Sequence, residues 1–507
     1  MTTRRVVLFI AVLMWLFLSY AGTGLTRPFT RGADIAGWTA STAANARAIN
    51  VSDRWLPYGV GQPLAELDPL ENLLYLHQSP LPYWITAGAF AVAGATETVA
   101  RLIPLLFTLG AGLLLYRLLA RLWDPRVGPL ALAAFWLNPT IVTFAMSNNH
   151  IVIAQFNVLL ALSAWVAAAA PAARRFAYPI AVACTLLAMW TYWYAYFLPL
   201  FFALAEARWT APEARSYRRA AVWFALPVAS IALHLLLYFA VYPSGPAELL
   251  STAMNRSGLE TGAWRPLRSI RELALELSQL WQIGFIVLGL AFLGLRLTRA
   301  AAPLHTEQRV VLLALGGAPL LYWIFMARIA AVEPMFNLVL IAPFISVCFA
   351  LGAVEVLGER LAVLAFPVLA LSLAQIAAHH DAWQLRLYSY KADEAVKVSK
   401  MARGLTREGD VIIEDGSNIG PGVLAYYALG RTVINSENFL GRPRRAPADY
   451  VSHVLNKLAP ERSVYLVTTA DRLKVGNLVA QLTARGYEIL APVEQSDWRI
   501  MEIKRRK

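Results

Sequence analysis

Asp34, the segment around His77 and Tyr83, a neutral polar run ending at His150, and a scattered set of arginines are the side chains of this chain best placed to bind a ligand or move a proton. Asp34 precedes an amphipathic stretch, residues 36–49, that is expected to lie along a membrane surface. A carboxylate at a helix start either caps the helix or, held ionised there, acts as a general base toward an attacking hydroxyl. Both readings of Asp34 stand. Asp53, Asp68 and Glu71 follow in the same loop and read as surface and turn residues, or as the base in Asp34's place.

Further on comes Leu76-His-Gln-Ser-Pro-Leu-Pro-Tyr-Trp84, in which His77 reads as a hydrogen-bonding residue among motif neighbours. Ser147-Asn-Asn-His150 offers neutral groups that either orient a ligand's hydroxyls or cap the next helix. Arg256, Arg265, Arg268, Arg271 and Arg328 are cations that either snorkel to lipid phosphates or hold the phosphate of a bound substrate. Trp190, Tyr192, Trp193, Tyr194 and Tyr196 form either an interfacial aromatic belt or a surface on which sugars stack.

The elements that carry these residues are membrane spans. Hydrophobic residues make up 58% of the 507 and charged residues only 15%, against roughly 25% in soluble domains. The mean hydropathy of +0.51 arises from many apolar runs over the first three quarters, which excludes a water-soluble fold and a single-anchor enzyme. The net charge of +13 is therefore read first as a topology signal and not as a nucleic-acid footprint.

Arg4 and Arg5 precede the first span and place the N-terminus in the cytoplasm. Further inside turns carry Arg117, Arg121 and Arg126; Arg174 and Arg175; Arg208, Arg215, Arg218 and Arg219; Arg296, Arg299 and Arg309; and Arg360. Because arginines flank residues 176–209 on both sides, that segment is expected to be a hairpin turning near Trp190-Thr-Tyr-Trp-Tyr194. The count is then about eleven spans of roughly 20 residues, with the C-terminus outside.

A transmembrane domain of residues 1–380 is thus expected, with a large first outer loop at about 26–98. Residues 381–507 have the composition of a soluble unit, and their patterning predicts an extracytoplasmic α/β domain. Residues 410–413 and 463–468 read as buried strands, 422–429 and 473–486 as helices. The two cysteines, Cys184 and Cys348, fall in spans, so neither a disulfide framework nor a thiol nucleophile is expected.

In order and type these motifs resemble the GT-C integral-membrane glycosyltransferases, in particular the bacterial branch related to protein O-mannosyltransferases and the lipid A aminoarabinose transferase. The matches are Asp34, then Pro80-Leu81 with Tyr83-Trp84, then Glu97, Arg101-Leu102 and Pro104, with Arg117 and Arg121 closing the span. Glu333-Pro-Met-Phe-Asn337 and Pro343 resemble the family's later Glu-Pro-Arg-Tyr segment. The chain departs from the family at Ser79, at Gln78 where a lysine is usual, and at Met335 and Phe336.

The resemblance implies a GT-C fold and inverting transfer of a sugar from a polyprenyl-phosphate donor to a hydroxyl of an envelope glycan, lipid or protein. The reaction would take place at the outer face of a bacterial inner membrane. Asp34 is the implied catalytic base. His77, Gln78, Tyr83, Asn149, His150, Arg265, Arg268, Arg328 and Glu333 are the implied donor and substrate residues, with Arg328 in place of the missing family arginine. The neutral Ser147–His150 run lacks the oxygen cluster a hard cation needs, so no metal and no other cofactor is expected. The expected partners are the lipid-linked donor, membrane lipids and the acceptor, with no nucleic acid. A transporter or flippase of lipid-linked sugars competes as a reading, as does a non-catalytic envelope scaffold. A transporter predicts charges at mid-membrane depth and an internal repeat, and the spans show few charges and no obvious repeat.

Overall fold

In the computed structural model the chain forms a helical bundle with a small mixed sheet packed on one end. The structure describes residues 3–26, 29, 35–51, 79–170, 172–210, 215–241, 245–259, 262, 264–279, 289–294, 303–328, 334–356, 365–388, 392–407, 409–414, 421–428, 431–435, 447–458, 461–469, 478–495 and 497–506. Asp34, His77, Gln78 and Glu333 lie outside the described residues, as do Asp53, Asp68 and Glu71.

The bundle opens with α1 (Thr3–Ala21), α2 (Ile35–Val51), α3 (Leu81–Ala93) and α4 (Glu97–Leu122). Next come α5 (Val127–Trp136), α6 (Pro139–Phe144), α7 (His150–Ala169) and α8 (Arg174–Met189). Small polar residues set the starts of three of these helices. Thr96 accepts from the Val99 amide at α4, Asn138 from Thr140 at α6, and Asn149 from Ile151 at α7. Each satisfies an amide that the first helical turn leaves unpaired.

Helices α4 and α7 run side by side in the same direction, with Phe107 edge-on to Phe156 and Asn148 bonded to the Ala100 carbonyl. Gly110 lets Phe156 approach α4, and Gly112 lets the Trp136 indole of α5 do the same. Lipid supplies no hydrophobic drive between helices, so backbone approach at small residues is what gains packing contact.

Among the described residues six helices are long and apolar enough to cross a membrane: Arg4–Ala21, Glu97–Leu122, His150–Ala169, Tyr217–Ala240, Thr306–Phe325 and Asn337–Glu355. Leu81–Ala93, Val127–Trp136 and Pro367–Ala378 are shorter apolar helices. The expected count of about eleven is therefore not confirmed by full-length apolar helices among the described residues. Breaks and proline starts account for part of the difference. Residues 176–209 show this. Helix α8 ends at Met189, a 3-10 turn spans Trp193–Phe197, and α9 (Leu198–Leu204) follows with proline near its start.

That segment turns back as a hairpin. Both its ends lie at one end of the bundle, where Arg174 binds the Ala168 and Ala169 carbonyls at the close of α7. At the same end Thr306 donates to the Trp209 carbonyl, Gln308 to Leu122, and Arg219 pairs with Glu206. The described arginine-bearing turns thus gather at the end where α4 and α7 finish.

The chain continues through α10 (Tyr217–Val241), α11 (Gly245–Ser257), α12 (Pro266–Gln279), α13 (Thr306–Phe325), α14 (Pro334–Leu351) and α15 (Ala365–Tyr388). Beyond these lie α16 (Ala392–Leu405), β1 (Val411–Glu414), α17 (Pro421–Tyr427), β2 (Thr432–Asn435) and α18 (Pro447–Lys457). The chain closes with β3 (Val464–Thr469), α19 (Leu478–Ala484), β4 (Tyr487–Ile489), β5 (Val493–Gln495) and β6 (Trp498–Arg505).

The strand order is β2-β1-β3-β6-β4, with β5 also on β6. The first three strands are parallel and β6 runs antiparallel to β3. Strand β1 is buried throughout, which is why it reads as an uninterrupted apolar run. Val411 and Ile413 face one apolar cluster, Ile412 the other. That second cluster extends beyond the sheet to Ala40, Ala43, Ala44 and Ala46 of α2, and to Ala87 and Phe90 of α3. The alanine face of α2 is thus covered by α17 and α3.

Candidate functional site

The described part of the site is organised by Asn148, in the turn before α7. Its backbone N–H donates to Thr39 Oγ1 at 3.0 Å, and its carbonyl accepts from Thr42 Oγ1 at 2.9 Å. Its side-chain amide donates to Thr86 Oγ1 and to the Ala100 carbonyl, both at 3.0 Å. One fully buried residue thus ties α2, α3 and α4 to the start of α7. Asp34 immediately precedes the first residue of α2 in the chain, and Thr39 lies on that helix's second turn.

Asn149 acts as the cap of α7, the structural one of its two expected roles. His150 is fully buried, with Nε2 3.2 Å from the Ser79 carbonyl and its ring edge-on to Tyr83 at 5.1 Å. Tyr83 and His150, widely separated in sequence, are therefore neighbours. Asn148 Oδ1, Ser147 Oγ, His150 Nδ1 and Gln155 Oε1 are buried with no hydrogen-bond partner among the described residues. Buried polar atoms are normally satisfied, so this group of atoms around the start of α7 is suited to a polar ligand. Arg256, at the end of α11, acts on His150 electrostatically.

Three of the expected cations lie elsewhere, where the start of α12 meets the end of α13. Trp264 donates from its indole to the Ile324 carbonyl at 2.9 Å, and Ser269 donates to the Ala327 carbonyl. These bonds dock the start of α12, bearing exposed Arg265 and Arg268, on the end of α13 beside half-buried Arg328. Close by on α13, Tyr322 shares a 2.8 Å hydroxyl contact with Tyr192. Gln155 also donates to the Val339 carbonyl, joining α7 to α14.

Glu97 and Arg101 lie one helical turn apart on α4. Arg101 is almost fully buried, donates to the carbonyls of Gly24 and Leu25, and sits 5.0 Å from the centre of the Phe29 ring. Glu97 accepts from the Tyr427 hydroxyl of α17 at 2.6 Å, and that hydroxyl accepts from the Phe29 N–H at 3.1 Å. Burial, and the bond to Glu97, push the Tyr427 phenol far above its ordinary range, so it remains a donor. Burial pushes its neighbour Tyr426 up to about 12.

No protein-family model and no curated protein matches the sequence. Solved structures do. ArnT from Cupriavidus metallidurans, bound to undecaprenyl phosphate, has a TM-score of 0.61 at 12% identity, over 99% of this chain and 98% of its own. The apo oligosaccharyltransferase of Archaeoglobus fulgidus has a TM-score of 0.59 at 13% identity, over 95% of this chain and 71% of its own. AglB of that organism, with an inhibitory peptide and a dolichol-phosphate, has a TM-score of 0.57 at 13% identity, over 98% and 74%. The chain shares the fold of these structures, the GT-C fold.

Within this GT-C fold three of the crowded aromatics gather about a histidine. Trp190 stacks on His234 of α10 at 4.8 Å, while Trp193 and Tyr238 pack at 5.9 and 5.5 Å from it. Tyr196 bonds His234 Nδ1 at 3.1 Å and Ser230 at 3.0 Å. Trp190, Trp193 and Tyr196, each half-buried, thus pack around a buried histidine. Sequence reading passed over His234, although its four-residue spacing from Ser230 on an apolar span was a visible signal. Among the described residues no group of three or more His, Cys, Asp or Glu gathers. At the start of α7 the Asn149 side-chain oxygen caps the helix and His150 Nε2 is engaged with the Ser79 carbonyl.

Proposed function

We propose that this protein is an inverting glycosyltransferase that moves a sugar from a polyprenyl-phosphate donor to a hydroxyl acceptor at the outer face of a bacterial inner membrane. One observation carries the reading: in a GT-C fold, Asn148 ties the helix that begins directly after Asp34 to the buried polar row next to Tyr83. A base preceding that helix and a polar sugar site are the two parts such a reaction needs.

Asp34 takes the acceptor's proton as its oxygen attacks the anomeric carbon. The bond from that carbon to the phosphate oxygen breaks on the opposite face, which inverts the configuration. The leaving polyprenyl phosphate gains negative charge, and Arg265, Arg268 and Arg328 stabilise it where it develops. Tyr83 and His150 line the sugar side, and His77, Gln78 and Glu333 complete the donor site. A phosphate ester is already a good leaving group, so positioning and one base suffice and the reaction proceeds without a metal. Residues 1–380 carry the chemistry and 381–507 form an extracytoplasmic accessory unit, with the arginine-rich end of the bundle in the cytoplasm.

The test is release of polyprenyl phosphate by purified protein from a polyprenyl-phosphate sugar, with Asp34→Asn as the comparison. A loss of roughly 10²–10⁴-fold is expected on removing a general base. Equal release by both proteins would remove Asp34 from the role. Chelator in the assay should leave the wild-type rate unchanged.

A further inference from the structure

The stretch of chain leading to Asp34 is gripped from two directions. From the bundle, Arg101 binds the Gly24 and Leu25 carbonyls and lies over the Phe29 ring. From the sheet unit, Tyr426 packs edge-on against Phe29 at 4.7 Å, and the Tyr427 hydroxyl accepts the Phe29 N–H. Phe29 is fully buried between them. The same pair of tyrosines closes on the other flank: Tyr426 donates to the Ala95 carbonyl at 3.0 Å, and its own carbonyl accepts from Arg47 of α2, whose guanidinium sits 4.9 Å from its ring. Phe29 is five residues before Asp34 and Ile35 opens α2, so both ends of the intervening chain are held by contacts that include α17.

We propose that the C-terminal unit is a working part of the transferase site, with Tyr427 as a positioning residue that joins Glu97 to Phe29 and so sets the placement of the Asp34 segment. The proposal rests on the reading of Asp34 as the base. Tyr427 touches no reacting atom, and its effect is on how often the base is in line. Misplacing a catalytic group by about 1 Å can cost as much as 10²-fold, so a lost hydroxyl here lowers turnover without removing donor contacts.

The experiment uses the full chain in lipid nanodiscs and compares wild type, Tyr427→Phe, and Tyr465→Phe as a control. The control removes a hydroxyl bonded to Glu502 inside the sheet unit. For Tyr427→Phe the expected result is a kcat lower by about 10- to 100-fold, a donor KM within about twofold, and lost hydrogen-exchange protection at Phe29. Combined with Asp34→Asn it should add no further loss. Lost protection with unchanged kcat, or a kcat change matched by Tyr465→Phe, would overturn the proposal. If Tyr427→Phe is not recovered folded, Glu97→Gln weakens the same bond from its other side and takes its place. Should wild type act on no polyprenyl-phosphate sugar, the transferase reading fails by itself. The exchange measurement then decides the brace alone, and retained protection at Phe29 in Tyr427→Phe would end it.

Discussion

Asn148 makes four hydrogen bonds to three helices, and replacing it with alanine strands the Ala100 carbonyl and removes the bond that the Thr86 hydroxyl accepts in a buried junction. Such a loss costs about 2–3 kcal/mol, so Asn148→Ala should lower the thermal unfolding midpoint and the rate together. A thermal melt in detergent alongside the release assay checks this. Tyr427 carries a pH prediction. Its folded-state pKa lies above the unfolded value of 10.0, so its contribution is fully present below pH 10 and is lost as pH rises past that point. The exchange protection factor at Phe29 should hold through neutral pH and fall only in strong alkali. Neither residue's part was legible in sequence. Asn148 reads as one of several polar groups at a helix start, and Tyr427 as one apolar-facing residue of a predicted helix. Their partners lie 106 and 398 residues away, at Thr42 and Phe29.

Helix contacts in this bundle turn on a few glycines. A Cβ on Gly112 would run into the buried Trp136 indole, whereas a Cβ on Gly404 would meet only open space. Gly112→Ala should therefore destabilise by about 1–3 kcal/mol through overpacking. Gly404→Ala should stabilise by about 0.5 kcal/mol, by restricting the unfolded chain. Unfolding midpoints of the two variants, expected to move in opposite directions, test the pair. The hairpin at 176–209 shows what patterning can and cannot do for an element. Flanking arginines implied the reversal, because both ends had to lie on one side. They said nothing of the short 3-10 turn or of His234 closing the aromatic group above it. The strands of the C-terminal unit were legible for a related reason. A buried parallel strand is apolar along its whole length, and β1 and β3 stand out as such in the sequence.

For the whole molecule, the sheet unit and the arginine-rich turns occupy opposite ends of the bundle. That arrangement predicts a labelling pattern. In a chain with Cys184 and Cys348 replaced, an impermeant thiol reagent added outside intact spheroplasts should modify Asp497→Cys and spare Arg218→Cys. Labelling of both after lysis completes the test, and the reverse pattern would invert the proposed topology. The net charge of +13 is also explained by this division. Part of it marks the end bearing Arg174, Arg219 and Arg309, and a smaller set, Arg265, Arg268 and Arg328, lies where the start of α12 docks on the end of α13.

Composition and charge placement by themselves determined that this is a many-helix membrane protein with a terminal α/β unit, because burial in lipid and loop charge act on each segment locally. The motif order pointed to the GT-C resemblance, and the fold bears it out. Only the tertiary structure decided which residues meet: Tyr83 with His150, Asn148 with three helices, Arg328 with the helix bearing Arg265 and Arg268, and Tyr427 with Glu97 and Phe29. Those contacts depend on the directions of hydrogen bonds between distant elements, and no local pattern of hydrophobicity or charge records them.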